Sequence, residues 1–583
     1  MTTMNPLNGL LAINDGYTTA RWNFPDAVGT LAVSPGGIGN AAEVGFSFLT
    51  AVPSYYATTN FSTAGFARFS GAQKQAVRDV LASVADVVQL SFIERSAISD
   101  ITFALNTQPA NTSGYGFFPS FGYSSSSLSG TISSVTTTGL AGDVWINGSQ
   151  SWTAADFALG GSGYGALVHE VGHALGLKHP FEESGTGGDH ILDASLDSTQ
   201  YTVMSYTKHS YSLYRTVTET SPNQFAWSYK YILPETLMPL DIKALQYLYG
   251  ANTSSHSGDD IYTFDTSRPF IKTIWDGGGN DTLSVANFSL ACVLDLRDGD
   301  YSSISIPSGQ LPEGSIETNP GIYDGTDNLA IAYDTIIENA IGGSGDDRLI
   351  GNAVANVLDG GLGADTMLGG DGSDIYSVDN SGDVVTESNA KASTGGVDLV
   401  NSYLSDYALG ASIENARIVS TSTANLTGNN LNNTLTGNVA ANILIGNAGA
   451  DELIGGGGAD SLSGGLGADI LTGGKGADRF IFLKVNDSGL SSSSRDTIAD
   501  FKASENDKID FSAIDANTGN TGNNAFVGLK QGSGFIGSFA DSASLYFDQA
   551  AKILYGNNDA DVQADFSIQL TGVTGVSLGD FIL

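Results

Sequence analysis

The stretch HEVGHALGLKH sets His169 and His173 four residues apart, so on an α-helix both imidazoles leave one face, at the spacing that grips a single zinc ion. Glu170 follows the first of them, placed to reach a water in the metal's open position rather than the metal itself. Ala166, Leu167 and Val168 before the motif, and Ala174 and Leu175 at its end, give helix-forming and core-facing character. Gly176 then offers a left-handed stop, and the sharp turn it permits returns His179 as a third ligand. Two histidines in HExxH alone fit a helix that carries them for no chemical reason. The longer pattern is far harder to reach by chance, and it takes three of the six histidines in the chain. The chemistry of such a set is hydrolysis: three neutral imidazoles leave a position open for water, whose pKa falls to roughly 7. Glu170 is the general base that takes the water's proton and passes it to a leaving amine.

A second constellation lies in the glycine-rich half. GGSGDDRLI, GNAVANVLD, GGLGADTML and GGDGSDIYS run from Gly342 to Ser377, and six further nonapeptides, from GNNLNNTLT to GGKGADRFI, run from Gly428 to Ile481. Each unit offers a turn whose backbone carbonyls and sixth-position aspartate suit calcium, then a very short strand whose eighth residue points inward. Two units make one turn of a parallel β-roll. The aspartates are Asp347, Asp365, Asp374, Asp451, Asp460, Asp469 and Asp478, and the inward residues include Leu349, Met367, Leu453, Leu462 and Leu471. The carbonyl candidates are Gly342 and Ser344, Gly360 and Leu362, Gly369 and Asp371, Gly446 and Ala448, Gly455 and Gly457, Gly464 and Leu466, and Gly473 and Lys475. Units such as GNAVANVLD put asparagine at the sixth position, so their sites are expected to be weak or empty. A flexible glycine-rich linker would carry no such coincidence of period, aspartate phase and apolar phase.

These sites need scaffolds. The chain has 583 residues, too many for one core, and 41% are apolar, enough for several. Lysine and arginine number 24 against 62 acidic residues, a net charge of -38, which argues against nucleic acid and against an anionic membrane surface as partners. Cys292 is the only cysteine, so no intrachain disulfide forms, and calcium is the expected staple. The N-terminus lacks the basic and apolar regions of a Sec signal peptide, and no run of 18 apolar residues occurs. Val77, Leu81, Val84 and Val88 form an amphipathic stripe that predicts a helix over Ser70–Gln89, with strands near Ile101–Leu105 and Val144–Asn147.

HEVGHALGLKH followed by YTVMSY at Tyr201–Tyr206 resembles the metzincin pattern of the serralysin family, as do GDVWIN at Gly142–Asn147 and DIKALQYLYGAN at Asp241–Asn252. The resemblance implies that Met204 forms a methionine turn under the zinc, and that Tyr206 is both a catalytic residue and a switchable further zinc ligand that stabilises the oxyanion. WDGGGNDTL and IENAIGGSG resemble the start of that family's roll, which makes Asp276, Asp281 and Glu338 further calcium ligands. The implied fold is an α+β metzincin protease domain, then an all-β parallel β-roll of the RTX type and a β-sandwich-like C-terminal domain. The expected boundaries are 1–20 for a propeptide, 21–250 for the protease, 251–481 for the roll and 482–583 for the C-terminal domain. The expected activity is zinc-dependent endopeptidase action on proteins and peptides, with substrate strands lying antiparallel along a sheet edge. By the same resemblance the chain is a secreted, extracellular monomer, exported through Gram-negative type I machinery read from the C-terminal domain and its terminal DFIL, with a small periplasmic protein inhibitor as a further partner.

Two features depart from the family pattern, HPFEESGTGGDHILD after the third histidine and a long segment at Lys208–Pro234, and both would rim the cleft. A non-enzymatic calcium-binding adhesin or surface-layer protein would share the repeats and the charge, but not the histidines. GVSLG at Gly575–Gly579 matches a lipase elbow, yet no histidine follows Ser577 to complete a triad.

Overall fold

The computed structural model describes residues 6–14, 18–23, 38–125, 132–182, 191–387, 395–518, 522–541, 543–559 and 561–583. They divide into two compact units, one of 1–285 with 292–337 and one of 286–291 with 338–583. Residues 251–285 and 292–337, grouped with the repeats on sequence, thus belong to the first unit. None of the described helices is long and apolar enough to cross a membrane.

In the first unit the strands β1 (Ala42–Phe48), β2 (Leu90–Glu94), β3 (Ile101–Asn106), β4 (Gly114–Gly116) and β5 (Asp143–Asn147) form one sheet in the order β2-β1-β3-β5-β4. All neighbours pair parallel except β4, which runs antiparallel along β5 and forms the edge. Helix α1 (Gly71–Val87) starts at a Ser70 capping box and buries Val77, Leu81 and Val84, as the stripe predicts, while Val88 caps its end. β5 is buried along its whole length. Its Asp143 accepts the hydroxyls of Tyr55, Tyr56 and Thr102 at 2.7, 2.6 and 2.5 Å, and burial raises that carboxyl to about 6. Helices α2 (Ser162–Ala174) and α3 (Pro239–Tyr249) complete the frame. The long segment at 208–234 is largely an antiparallel hairpin, Leu213–Ser221 against Gln224–Tyr231.

The N-terminal segment also packs into this unit. Leu10, Leu11 and Ala12 are buried, the Lys178 amide donates to the Leu10 carbonyl at 2.8 Å, and the buried Lys178 ammonium donates to the Gly9 carbonyl at 2.8 Å.

Within the repeat arrays of the second unit, parallel ladders pair a strand with the one 18 residues on, as in Leu349 against Met367, Leu444 against Leu462 and Leu453 against Leu471. Two nonapeptides therefore make one turn, and the eighth-position residues Leu349, Met367, Leu453, Leu462 and Leu471 are fully buried. The first array has strands of three or four residues, whereas in the second they lengthen to six residues at Ile443–Ala448, Glu452–Gly457, Ser461–Leu466 and Ile470–Lys475. The segment between the arrays continues the ladder without a break: Tyr376 pairs with Val400, Val400 with Ala416, and Ala416 with Leu435. C-terminal strands extend the same two sheets, through Leu471, Ile498 and Leu570 on one and Phe480, Ile509 and Phe581 on the other. The terminal Phe581–Ile582 is thus the last strand of a ladder.

Candidate active site and cation turns

Helix α2 carries His169 and His173 on one face, and the chain then reverses at Gly176, whose φ of 107° and closeness to the Ala20 carbonyl admit no side chain. The reversal brings the His179 Nε2 within 3.1 Å of the Nε2 atoms of both His169 and His173. The opposite nitrogens face outward to fixed partners. His169 Nδ1 lies 2.8 Å from the Val203 carbonyl and His173 Nδ1 lies 2.7 Å from the Leu177 carbonyl. His179 Nδ1 lies 2.7 Å from Glu182 Oε1, though off the line of a hydrogen bond. Carbonyl acceptors on Nδ1 place those protons there and leave the Nε2 lone pairs for a metal. Burial also pushes His169 down to about 4 and His173 well below its ordinary value, so both stay neutral. Three imidazole nitrogens converging at this separation fit a tetrahedral zinc with one place open.

Glu170 is 5% exposed and sits against the edge strand: a Cβ on Gly114 would stand 2.8 Å from its Cγ, and one on Gly116 would stand 2.8 Å from the His173 Cβ. Two glycines are therefore what lets β4 lie this close to α2. Burial raises the Glu170 carboxyl to about 8, against the opposing backbone N–H of Gly116. A nearby cation favours the carboxylate. The cleft beside it, of about 560 Å³, is lined by Gly114, Tyr115, His169, Glu170, Tyr206 and Pro234 among others.

The Tyr206 hydroxyl lies 2.8 Å from His179 Nε2, at the point where the histidines meet, although 63% of the residue is exposed. Met204 is fully buried beneath α2, and a Cβ on Gly172 would stand 2.6 Å from its sulfur. This turn is pinned by Asp241, fully buried in the first turn of α3, which accepts the Thr202 hydroxyl at 2.5 Å and the amides of Val203 and Met238 at 2.7 and 3.0 Å. Because the Val203 carbonyl also holds the His169 ring, Asp241 positions that imidazole without touching it.

In the second unit, the sixth-position aspartates Asp365, Asp374, Asp451, Asp460, Asp469 and Asp478 each use Oδ1 to accept the backbone amide of the residue 18 positions earlier, at 2.7–2.9 Å. The Oδ2 atoms of Asp365, Asp374, Asp451, Asp460 and Asp469 are buried and lack a hydrogen-bond partner among the described residues. Each faces the glycine that opens its own unit. A Cβ on Gly446 would collide with Asp451 Oδ2 and the Gly464 carbonyl, and one on Gly342 with the Gly360 carbonyl. Buried orphan oxygens around a space that only glycine leaves open are what a hard cation requires.

The asparagine units differ. Asn356, Asn433 and Asn442 accept the amides of Asn352, Asn429 and Asn438 at 2.8 Å. Their Nδ2 atoms donate to the carbonyls of Glu338, Glu414 and Ala424 at 2.9, 3.0 and 2.7 Å. A neutral amide there satisfies itself.

A family profile described as Peptidase M10 serralysin C terminal matches residues 239–399 and 394–583, together more than half of the chain. The chain belongs to the serralysin family. A profile described as Matrixin matches residues 58–186 of this serralysin-family chain, across β2 to β5 and the helix with both histidines. It is 31% identical to "Metalloprotease AprA" of Pseudomonas entomophila over 58% of this chain and 62% of that protein. "Serralysin G" of Dickeya chrysanthemi and "Serralysin" of Proteus mirabilis are each 30% identical over 55% of this chain and 62% of theirs. The matches thus span about three fifths of the length of these relatives. Among solved structures, a subunit of the Azotobacter vinelandii mannuronan C5-epimerase is 32% identical over 26% of this chain and 78% of its own, with a TM-score of 0.20.

Within this serralysin-family chain the structure brings His169, His173, His179, Glu170, Met204 and Tyr206 together. Asp276 and Asp281 each offer an oxygen within 4.8 Å of the other and of one from Asp260, which sequence reasoning missed. Glu338 lies in the second unit, where its carbonyl accepts Asn356 Nδ2. Asp241 was missed too; its only local signal is an acid two residues after the Pro239 that opens a helix. Of the unusual run after His179, residues 183–190 fall outside those described.

Proposed function

We propose that the chain is a secreted zinc-dependent endopeptidase stabilised by calcium, its first unit a metzincin-type α+β protease and its second an RTX β-roll ending in a β-sandwich-like region. The observation that carries this reading is the convergence of three Nε2 atoms beside a buried glutamate under an antiparallel sheet edge. His169, His173 and His179 would hold zinc, which when bound supplies a Lewis acid and an activated water. Glu170 takes the proton of that water as the scissile carbonyl is attacked and returns it to the leaving amine. Tyr206, which would join the metal as a further ligand before substrate arrives, donates its hydroxyl to the developing oxyanion. A substrate strand adds to β4 through backbone hydrogen bonds, so cleavage is broad in sequence.

The calcium ligands in this reading are the aspartates and turn carbonyls named above, including the third-position carbonyls, with Asp276, Asp281 and Glu338 at the start of the roll. Export through a type I channel, and inhibition by a small periplasmic protein, follow from family membership as further parts of the proposal. The test is casein digestion by the full chain with and without a zinc chelator, run beside Glu170→Ala. Loss of at least about a hundredfold in turnover with zinc still bound is expected. Undiminished digestion by the variant would overturn the assignment.

A further inference from the structure

The unit GGDGSDIYS closes the first array, and the aspartate that accepts the Asp374 amide, Asp398, comes 24 residues on instead of the 18 that separate Asp451 from Asp469. The added chain carries Glu387. One oxygen each from Asp374, Glu387 and Asp398 lies within 4.8 Å of the others. Asp374 and Asp398 are both 1% exposed, and their Oδ2 atoms, with Glu387 Oε2, have no hydrogen-bond partner among the described residues.

The remaining oxygens hold the three groups in place. Asp398 Oδ1 accepts the Asp374 amide at 2.9 Å. Glu387 accepts the Tyr376 hydroxyl and the amides of Gly369 and Gly370. A Cβ on Gly369 would collide with Asp374 Oδ2, Glu387 Oε1 and the Tyr376 hydroxyl at once, so the three side chains surround a pocket that only glycine leaves open. Tyr376 itself stands at an inward position that leucine, methionine or phenylalanine fills in other units, and its ring is fully buried while its hydroxyl reaches Glu387.

Three carboxylates turned on one buried spot repel one another unless a cation joins them. We propose that Asp374, Glu387 and Asp398 form a tri-carboxylate site for a hard divalent cation, completed by the segment inserted after the first array and not by the nonapeptide motif. Repeat turns such as that of Asp451 and Asp469 bring two carboxylates; this one brings three. Affinity for calcium grows with ligand charge, so this site fills before the repeat turns and fixes the point where the ladder passes from Tyr376 to Val400. The inference leans on the calcium reading of the repeats only for the identity of the cation.

The experiment titrates the full chain, stripped of metal, with calcium by calorimetry and with terbium by tyrosine-sensitised luminescence. In Glu387→Gln the tightest class should lose one equivalent, or that equivalent should weaken by at least about tenfold, with the weaker classes unchanged. Tyr376→Phe leaves all three carboxylates and should keep the calcium stoichiometry while losing sensitised emission from the first terbium bound. Wild-type stoichiometry and affinity in Glu387→Gln together with undiminished first-site emission in Tyr376→Phe would overturn the proposal. If Glu387→Gln fails to fold, the emission of Tyr376→Phe decides alone. Wild-type protein that binds no calcium in any class would instead overturn the calcium reading of the roll.

Discussion

Removing calcium should make the roll's stability depend steeply on pH, with acid standing in for the cation. Burial raises Asp451 from 3.8 to about 6 and Asp460 from 3.8 to about 6, and raises Asp365, Asp374 and Asp469 to about 7. In the unfolded chain each titrates near the ordinary value. Between about 4 and 7 the folded roll therefore holds more protons than the unfolded chain, and stability falls as pH rises through that window. The step from 3.8 to about 6 at Asp451 corresponds to about 3 kcal/mol. Roughly halving it for residual solvent and for coupling between neighbours leaves of order 1–2 kcal/mol per site. Over these five aspartates the total is of order 5–10 kcal/mol, comparable with the whole stability of a domain.

The assay is circular dichroism of the full chain in calcium-free buffer at pH 5.5 and pH 8, repeated in millimolar calcium. The acid arm stays above the sequence isoelectric point of about 4.1, where the chain would precipitate. Without calcium, β-structure should be partly retained at pH 5.5 and lost from the roll at pH 8; with calcium, the two spectra should coincide. Calcium binding must then release protons, which calorimetry at pH 6 in two buffers of different ionisation enthalpy measures directly. Equal β-structure at both pH values without calcium, or binding with no proton release, would refute the reasoning.

Tyr206→Phe should lower kcat by about ten- to a hundredfold with a smaller change in KM, because its hydroxyl acts on the oxyanion; a change in KM alone would reduce it to a wall of the cleft. Asp241→Asn should weaken zinc by about ten- to a hundredfold in a chelator competition, since an amide cannot accept all three donors that fix the Val203 turn; unchanged zinc affinity with a lower Tm would make Asp241 merely structural. Removing residues 1–20 strips Leu10, Leu11 and Ala12 from their packing and takes the Gly9 carbonyl from Lys178, so Tm should drop by several degrees, and unchanged Tm and activity would mark the segment as a dispensable propeptide. Asn442→Asp should add one calcium equivalent and lower stability in chelator by about 1–3 kcal/mol; unchanged stoichiometry would show that the Asn442 turn lacks a cation cage.

The parts legible in the sequence are those that local geometry dictates. His169 and His173 read directly because a helix fixes residues four apart, and Gly176 because its φ of 107° suits almost nothing else. Leu349, Met367, Leu453, Leu462 and Leu471 read from the period. Convergence over distance left no such mark: Asp241 reaches Val203 across 38 residues, and Glu387 reaches Tyr376 from outside any repeat. The segment between the arrays carries no nonapeptide signal because its turns lose the glycine motif. It stays in the roll because Tyr376, Val400, Ala416 and Leu435 keep the inward stack, and the ladder depends on that stack rather than on the turns.

The two kinds of metal site are prepared in opposite ways, and this decides what each ion does for the molecule. At the histidines, carbonyls of Val203 and Leu177 have already oriented two rings and burial keeps them neutral, so the protein has met the cost of assembly and a zinc ion would add chemistry more than fold. In the roll, Asp365, Asp374, Asp451, Asp460 and Asp469 each have one oxygen satisfied by the ladder while the other is buried without a hydrogen-bond partner among the described residues, so such a turn is left deficient without a cation or a proton. Asn442 marks the boundary between these strategies. Placed at the same point of the repeat, its amide supplies both the acceptor and the donors the turn needs. Such turns need no cation, whereas on the proposed calcium reading the aspartate turns would need either calcium or protons on their orphan oxygens. The mixture within one ladder ties completion of the fold to the surroundings through the aspartates, and keeps a cation-independent stretch of the ladder from which their neighbours can extend.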